Sequence, residues 1–130
     1  MEWTHKIRVR YAECDRMGFV HHSVYALYFE EARTEILRQA GITYKEMEDE
    51  GIIMPVRSMS MTFKKAGKYD DLLTIHVRIE GAVEVRAHFH YDVYNQNEEL
   101  ICTGYTEMFF VNKDSMRPLK LPEKYKKHMQ

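Results

Sequence analysis

The apolar positions change from alternation to helical spacing near the start of the chain. Apolar and polar side chains alternate over residues 3–11, which predicts a half-buried β-strand. Residues 12–22 show no period and contain Gly18, so they are interpreted as a loop. From Ser23, a candidate N-cap, apolar side chains recur at helical spacing as far as Gly41. The pattern therefore predicts one long helix, buried almost all round.

The rest of the chain predicts one short helix and four strands. The short helix is expected at residues 43–50, and the strands at 58–63, 74–80, 83–93 and 101–111, with turn signals between the strands. The last strand consists of the alternating run Ile101, Thr103, Tyr105, Glu107, Phe109 and Val111. This order predicts an α+β fold in which a five-stranded antiparallel sheet packs on the long helix.

Composition narrows the class of protein. A chain of 130 residues fits one domain, residues 1–130, with a real hydrophobic core. A net charge of −1 gives no indication of a nucleic-acid partner, and no apolar run is long enough for a membrane span. Cys14 and Cys102 are too far apart in sequence to indicate a disulfide framework. With no signal peptide visible at the N-terminus, a cytoplasmic location is expected.

Groups that can move protons or bind metal are concentrated just before the long helix. The loop carries Glu13, Cys14, Asp15, His21 and His22. Asp15 could act as a general base or nucleophile, or could simply bond to its own backbone in a turn. Cys14 and His22 could form a nucleophile pair. A zinc or iron site is the weakest hypothesis, because adjacent histidines rarely turn both rings to one ion.

Two groups of residues carry a resemblance to a known family. The first is Tyr11, Glu13, Asp15, Gly18, Val20, His22, Tyr25, Glu30 and Arg33, and the second is Phe63, Ala66, Tyr69, Asp70, Asp71 and Leu72. Over roughly residues 3–111 the chain resembles the hotdog-fold acyl-CoA thioesterases of the 4-hydroxybenzoyl-CoA thioesterase type. Within that type it is most similar to the branch associated in bacteria with the Tol–Pal system.

The resemblance implies a fold, an activity and a catalytic residue. The sheet is expected to wrap around the long helix as a hotdog, and Asp15 to serve as base or nucleophile in hydrolysis of an acyl-CoA thioester. No cofactor is expected, since CoA enters as part of the substrate. His22 would position the thioester or the water, while Gly18 would turn the loop back over the helix end. The alternative is a hotdog module that binds acyl-CoA or an acyl-carrier protein without catalysis.

Substrate binding is expected at the start of the long helix, at a cluster of basic residues, and at a segment contributed by a second copy of the chain. The N–H groups of the helix start, at Ser23, Val24 and Tyr25, would face the thioester oxygen. A cluster of basic residues would hold the phosphates of the carrier: Lys64, Lys65 and Lys68, with Arg57 on the same strand. The family implies a homodimer or a homotetramer (a dimer of dimers). Asp15 of one chain would then meet the segment from Arg57 to Ser60 of the other, which includes Ser58 and Met59.

The remaining expectations concern packing. Met17 and Met54 could adapt to several acyl shapes, whereas Met59 and Met61 are expected in the core. Glu30 and Arg33, one helical turn apart, are expected to form an ion pair. The lysines at residues 120–127 are interpreted as a solvated tail.

Overall fold

A computed structural model describes residues 2–129. Its elements in chain order are β1 (Glu2–Arg8), α1 (Val24–Gln39), α2 (Tyr44–Asp49), β2 (Ile52–Ile53), β3 (Val56–Phe63), β4 (Leu72–Glu80), β5 (Arg86–Tyr94), β6 (Leu100–Phe109), β7 (Val111–Asn112) and α3 (Glu123–Lys126). Five strands form one antiparallel sheet in the order β1-β4-β5-β6-β3, and β2 pairs with β7. The predicted α+β fold, with one long helix and a five-stranded sheet, is therefore confirmed.

The sheet packs its apolar face on α1. Phe29, Ile36 and Leu37 of the helix are fully buried. The ring of Phe29 stacks on that of Tyr91 with 4.2 Å between centroids. Below the ring lies Gly104, where a Cβ atom would come within 2.4 Å of Phe29. The helix can approach the sheet this closely because β6 has no side chain at that point.

The register of β6 differs from the alternating run that the sequence suggests. β6 pairs with β5 so that Thr106 lies opposite Phe89, and Gly104 opposite Tyr91. Because Phe89 and Tyr91 belong to the buried face, Gly104 and Thr106 also face the helix, and Tyr105 lies on the outer face. There the Tyr105 hydroxyl is hydrogen-bonded to Nδ1 of His88 at 2.7 Å.

Several ends of the predicted elements need correction: β5 begins at Arg86 and not at residue 83, and residue 111 belongs to β7 and not to β6. β1 stops at Arg8, and Tyr11, expected as a buried strand residue, is 80% exposed in a 3₁₀ turn.

The C-terminal segment is packed on the core through Leu121, Tyr125 and Met129, which are spaced four apart and buried. Of its lysines, Lys120, Lys124 and Lys127 are exposed, as the solvated interpretation expects, while Lys126 is largely buried beside Glu84.

The expected ion pair between Glu30 and Arg33 is absent from residues 2–129. Glu30 is exposed, whereas Arg33 is buried and its Nη1 donates to the Tyr91 hydroxyl at 3.1 Å. α1 turns Arg33 toward the sheet, so its partner comes from β5 and not from the same helix. In the described part of the chain, no helix is both long and apolar enough to span a membrane.

Candidate active site

The loop between β1 and α1 folds into a small hairpin around Asp15. The Asp15 N–H donates to the Phe19 carbonyl at 2.8 Å, and the Gly18 N–H donates to the Asp15 carbonyl at 3.0 Å. Gly18 has φ +81°, a conformation that costs a side-chain-bearing residue energy and suits glycine. The expected role of Gly18 in turning the loop back is consistent with this geometry.

The hairpin is fastened to the turn between β3 and β4. The Val20 N–H donates to the Gly67 carbonyl at 2.8 Å, and Phe19 forms an isolated bridge with Lys68. A Cβ atom at Gly67 would lie 2.9 Å from the hydroxyl oxygen of Tyr25, so the turn sits directly against the start of α1. These contacts bring the two groups of residues that carry the family resemblance side by side.

The Asp15 carboxylate is held by one of its two oxygens. Oδ1 accepts the Met17 N–H at 2.9 Å and the Phe19 N–H at 3.2 Å. Oδ2 has no hydrogen-bond partner within residues 2–129. The turn interpretation of Asp15 is thus correct for Oδ1. The same bonds fix the carboxylate and leave Oδ2 available for chemistry.

The start of α1 differs from its expected capping. Ser23 does not cap the helix, because its hydroxyl is hydrogen-bonded to Nδ1 of His21 at 2.8 Å. The Val24 N–H donates to the His21 carbonyl at 2.9 Å, and the Ser23 N–H donates to Nδ1 of His21 at 3.3 Å. Two of the three N–H groups expected to face a thioester oxygen are therefore already bonded.

A cavity of about 360 Å³ opens beside this loop. It is lined by Asp15, Met17, Phe19, Val20, His22, Tyr25, Phe63, Lys64, Lys65 and Ala66. The structure thus brings together six of the residues singled out as candidates from sequence, at positions 15, 17, 22, 25, 64 and 65. The other wall residues, Phe19, Val20, Phe63 and Ala66, were missed. For Val20, Phe63 and Ala66, their place in the family signature was the available signal.

Two groups near the cavity keep their protons at neutral pH. Burial raises the pKa of the Cys14 thiol, and the nearby carboxylates of Glu13, Asp15 and Asp71 raise it further. Burial raises the pKa of Tyr25 to about 12. A thiol held protonated is a poor nucleophile, which argues against a Cys14–His22 pair.

Other candidates lie away from this cavity in the same chain. Arg57 is on the outer face of the sheet, where Nη1 donates to Glu107 at 2.9 Å and the guanidinium lies over the Phe109 ring. Met59, expected in the core, is 38% exposed on the edge strand β3. Ser58 is exposed on the same strand, Lys68 borders a second cavity, and Val24 packs partly buried against the core.

The methionines divide between surface and core. Met17 lines the cavity and is 71% exposed, while Met54 and Met61 are partly buried against the core. Among residues 2–129, no three side chains of histidine, cysteine, aspartate or glutamate are arranged to hold a metal ion. The rings of His21 and His22 lie close together, with 4.1 Å between their centroids.

Comparison with known proteins identifies the family. Residues 9–129 match the model of the thioesterase-like superfamily. A Bacillus subtilis protein provisionally named acyl-CoA thioesterase YneP is 32% identical over 115 residues, 88% of this chain and 83% of that one. Acyl-CoA thioesterase YbgC of Haemophilus influenzae is 26% identical over 121 residues, 92% and 88% of the two chains.

A solved structure agrees in fold. A DHNA-CoA thioesterase from Staphylococcus aureus has a TM-score of 0.89 and 33% sequence identity, covering 92% of this chain and 80% of that one. The resemblance to hotdog acyl-CoA thioesterases is thereby confirmed, while the narrower Tol–Pal-associated branch stays a prediction. The chain belongs to the thioesterase-like superfamily, a family of thioester hydrolases that share the hotdog fold.

Proposed function

We propose that the protein hydrolyses an acyl-CoA thioester to a free carboxylic acid and CoA, with Asp15 as the reacting carboxylate. The observation that carries this proposal is the cavity in which Asp15 and His22 face apolar walls and two lysines. The YneP and YbgC relatives, both named as acyl-CoA thioesterases, support the same reaction. The proposal takes residues 1–130 as one domain, cytoplasmic and without a cofactor.

The chemistry follows from the fixed carboxylate. As general base, Asp15 removes a proton from water while the water oxygen attacks the thioester carbon. As nucleophile, it attacks that carbon itself, and water then cleaves the mixed anhydride. In both routes the C–S bond breaks, and the CoA sulfur leaves and takes up a proton. His22 lies in the same cavity, where it positions the thioester or the water.

A panel of acyl-CoA thioesters tests the activity, with free thiol release as the measurement. Hydrolysis of at least one thioester is expected, and the ranking gives the preferred acyl group. If acyl-CoA binds tightly and no thiol is ever released, the alternative of a non-catalytic binding module is correct and the proposed function fails.

Lysines beside the cavity are expected to hold the phosphates of the carrier. Replacing Lys64, Lys65 and Lys68 together by alanine should raise KM for acyl-CoA at least about fivefold, since three exposed ion pairs are lost. Turnover at saturation should change little, because remote groups contribute mostly uniform binding. The control substrate is the same acyl group on pantetheine, which lacks the nucleotide. An equal loss on both substrates would mean that the lysines serve the fold.

The protein is expected to be a homodimer or a dimer of dimers. β3 is an edge strand of the sheet and exposes apolar side chains, among them Val56 at 41% and Met59 at 38%. Leu27 on α1 is 62% exposed. An apolar, unpaired edge is suited to pairing with another copy. Such pairing would bring Arg57 and Ser58 of a partner toward Asp15.

Met59→Lys should shift the protein toward monomers and lower its activity, because a charge is placed in the proposed interface. Light scattering at micromolar concentration measures the mass, and thiol release measures the activity. Met116→Lys is the matched control, since Met116 is 59% exposed in the segment after β7. A wild-type protein that is monomeric and fully active would contradict the oligomer.

A further inference from the structure

A second and larger cavity, of about 470 Å³, adjoins the candidate active site. Its walls are Phe19, Lys65, Ala66, Lys68, Asp71, Asn95, Gln96, Asn97 and Glu99. Phe19, Lys65 and Ala66 also line the smaller cavity that contains Asp15. One elongated ligand can therefore occupy both, with its reacting end at Asp15 and its other end between the β3–β4 and β5–β6 turns.

The walls of the larger cavity are joined by hydrogen bonds between the two turns. Asp71 accepts the Lys68 N–H at 2.9 Å through Oδ2 and the Gln96 side-chain amide at 3.0 Å through Oδ1. Gln96 in turn accepts the Leu72 N–H at 3.1 Å. Asp71 is thus occupied in joining the turns, so its charge is largely satisfied by donors.

Lys65 is bound to an acidic residue across the cavity. Its ammonium group forms an ion pair with Glu99, which also accepts the Asn95 side-chain amide at 3.0 Å. The bonds from Lys65 and Asn95 lower the pKa of the Glu99 carboxyl, so Glu99 stays ionised at neutral pH. Side-chain exposure of this pair is 59% for Lys65 and 38% for Glu99, so a ligand can reach it.

We propose that the larger cavity is the subsite for the nucleotide of CoA and that Glu99 competes with its phosphates for Lys65. This inference rests on the proposed function. A ligand with a single negative charge gains little by displacing a carboxylate that has the same charge. The pyrophosphate and 3′-phosphate of CoA carry several charges and gain more from Lys65 and Lys68. The prosthetic group of an acyl-carrier protein has a single phosphodiester, which gains little from these lysines. The subsite therefore selects CoA.

Removing the competitor should improve binding of the CoA substrate. Glu99→Gln keeps the shape and the bond from Asn95, and it is expected to lower KM for acyl-CoA by about two- to fivefold, the scale of one exposed ion pair. KM for the same acyl group on pantetheine should not change. For dephospho-CoA thioesters, KM should decrease, but by less than for acyl-CoA. In a Lys65→Ala background, Glu99→Gln should give no gain.

A matched variant controls for the change in net charge. Asp49 of α2 forms an exposed ion pair with Lys45 at 3.0 Å, and neither residue lines either cavity. Asp49→Asn should leave KM for acyl-CoA at the wild-type value. If Glu99→Gln behaves like Asp49→Asn, or alters acyl-CoA and acyl-pantetheine equally, the proposal is overturned.

A binding measurement separates this proposal from the proposed activity. Adenosine 3′,5′-bisphosphate, a fragment of CoA, should bind to the wild type in calorimetry, and Glu99→Gln should bind it two- to fivefold more tightly. Inorganic phosphate should bind much more weakly. Tighter nucleotide binding without thiol release from any thioester would retain the subsite and reject the hydrolase. Equal binding of the nucleotide by Glu99→Gln and wild type would reject the subsite, whatever the activity.

Discussion

Asp15→Asn is expected to reduce kcat for an acyl-CoA substrate by about two orders of magnitude or more. Asparagine preserves a side-chain oxygen for the N–H groups of Met17 and Phe19, which bond to Oδ1 of Asp15. It removes the charge needed to take a proton or to attack the thioester carbon. The loop should therefore keep its shape while the reaction stops, which thiol release and thermal unfolding measure together.

Further variants of the same loop distinguish the reacting group. Asp49→Asn should be fully active, as a remote change of the same kind. Cys14→Ser should retain substantial activity, and His22→Ala should lie between wild type and Asp15→Asn. Chelator should have no effect on the wild type. Near wild-type turnover by Asp15→Asn would refute the carboxylate mechanism. An inactive Cys14→Ser would indicate that the thiol is the nucleophile. Loss of wild-type activity in chelator would restore the metal hypothesis.

Gly104→Ala is expected to destabilise the protein by about 2–3 kcal/mol, the upper range for overpacking a tight core. The new Cβ would lie 2.4 and 2.5 Å from two atoms of the Phe29 ring, which is itself fixed by stacking on Tyr91. The melting temperature should fall by roughly 5–10 °C. Differential scanning calorimetry at one protein concentration measures the shift.

A second-site variant shows whether the ring is the cause. Phe29→Leu alone should destabilise, because buried aromatic area and the stacking are lost. In that background the cost of Gly104→Ala should be smaller, since the smaller side chain leaves room for the Cβ. If Gly104→Ala costs the same in both backgrounds, contact with Phe29 is not what requires glycine at this position.

Sequence patterns predicted the elements well because these patterns are local. Alternation over residues 74–80 and helical spacing between Ser23 and Gly41 correspond to β4 and α1 within a few residues. The prediction that this helix is buried almost all round is wrong for the single chain, because α1 buries one face and leaves Leu27 and Glu30 exposed. One apolar face is enough to require a sheet packed on it. The motif around Asp15 likewise indicated the family, and the comparisons confirm it.

The candidate site was predicted in part. Asp15 and His22 were singled out as chemical groups, and the lysines before β4 as charges near a turn. That Asp15, His22 and Lys65 line one cavity follows from hydrogen bonds between the loop and the β3–β4 turn, which are distant in sequence. The turn signal at residues 95–97 gave no hint of the second cavity, because its walls form only when β5 and β6 pair.

Sequence alone therefore determined α1, α2 and the strands of the main sheet, the two-layer architecture and the chemical groups of the first loop, but not β2, β7 or α3. Tertiary structure decided which face of β6 meets α1, because the Phe29 ring fits only over a residue without a side chain. It also gave the buried Arg33 a tyrosine partner in place of Glu30, and it paired Lys65 with Glu99. Each of these contacts joins residues far apart along the chain, whereas periodicity reports only the burial of sequence neighbours.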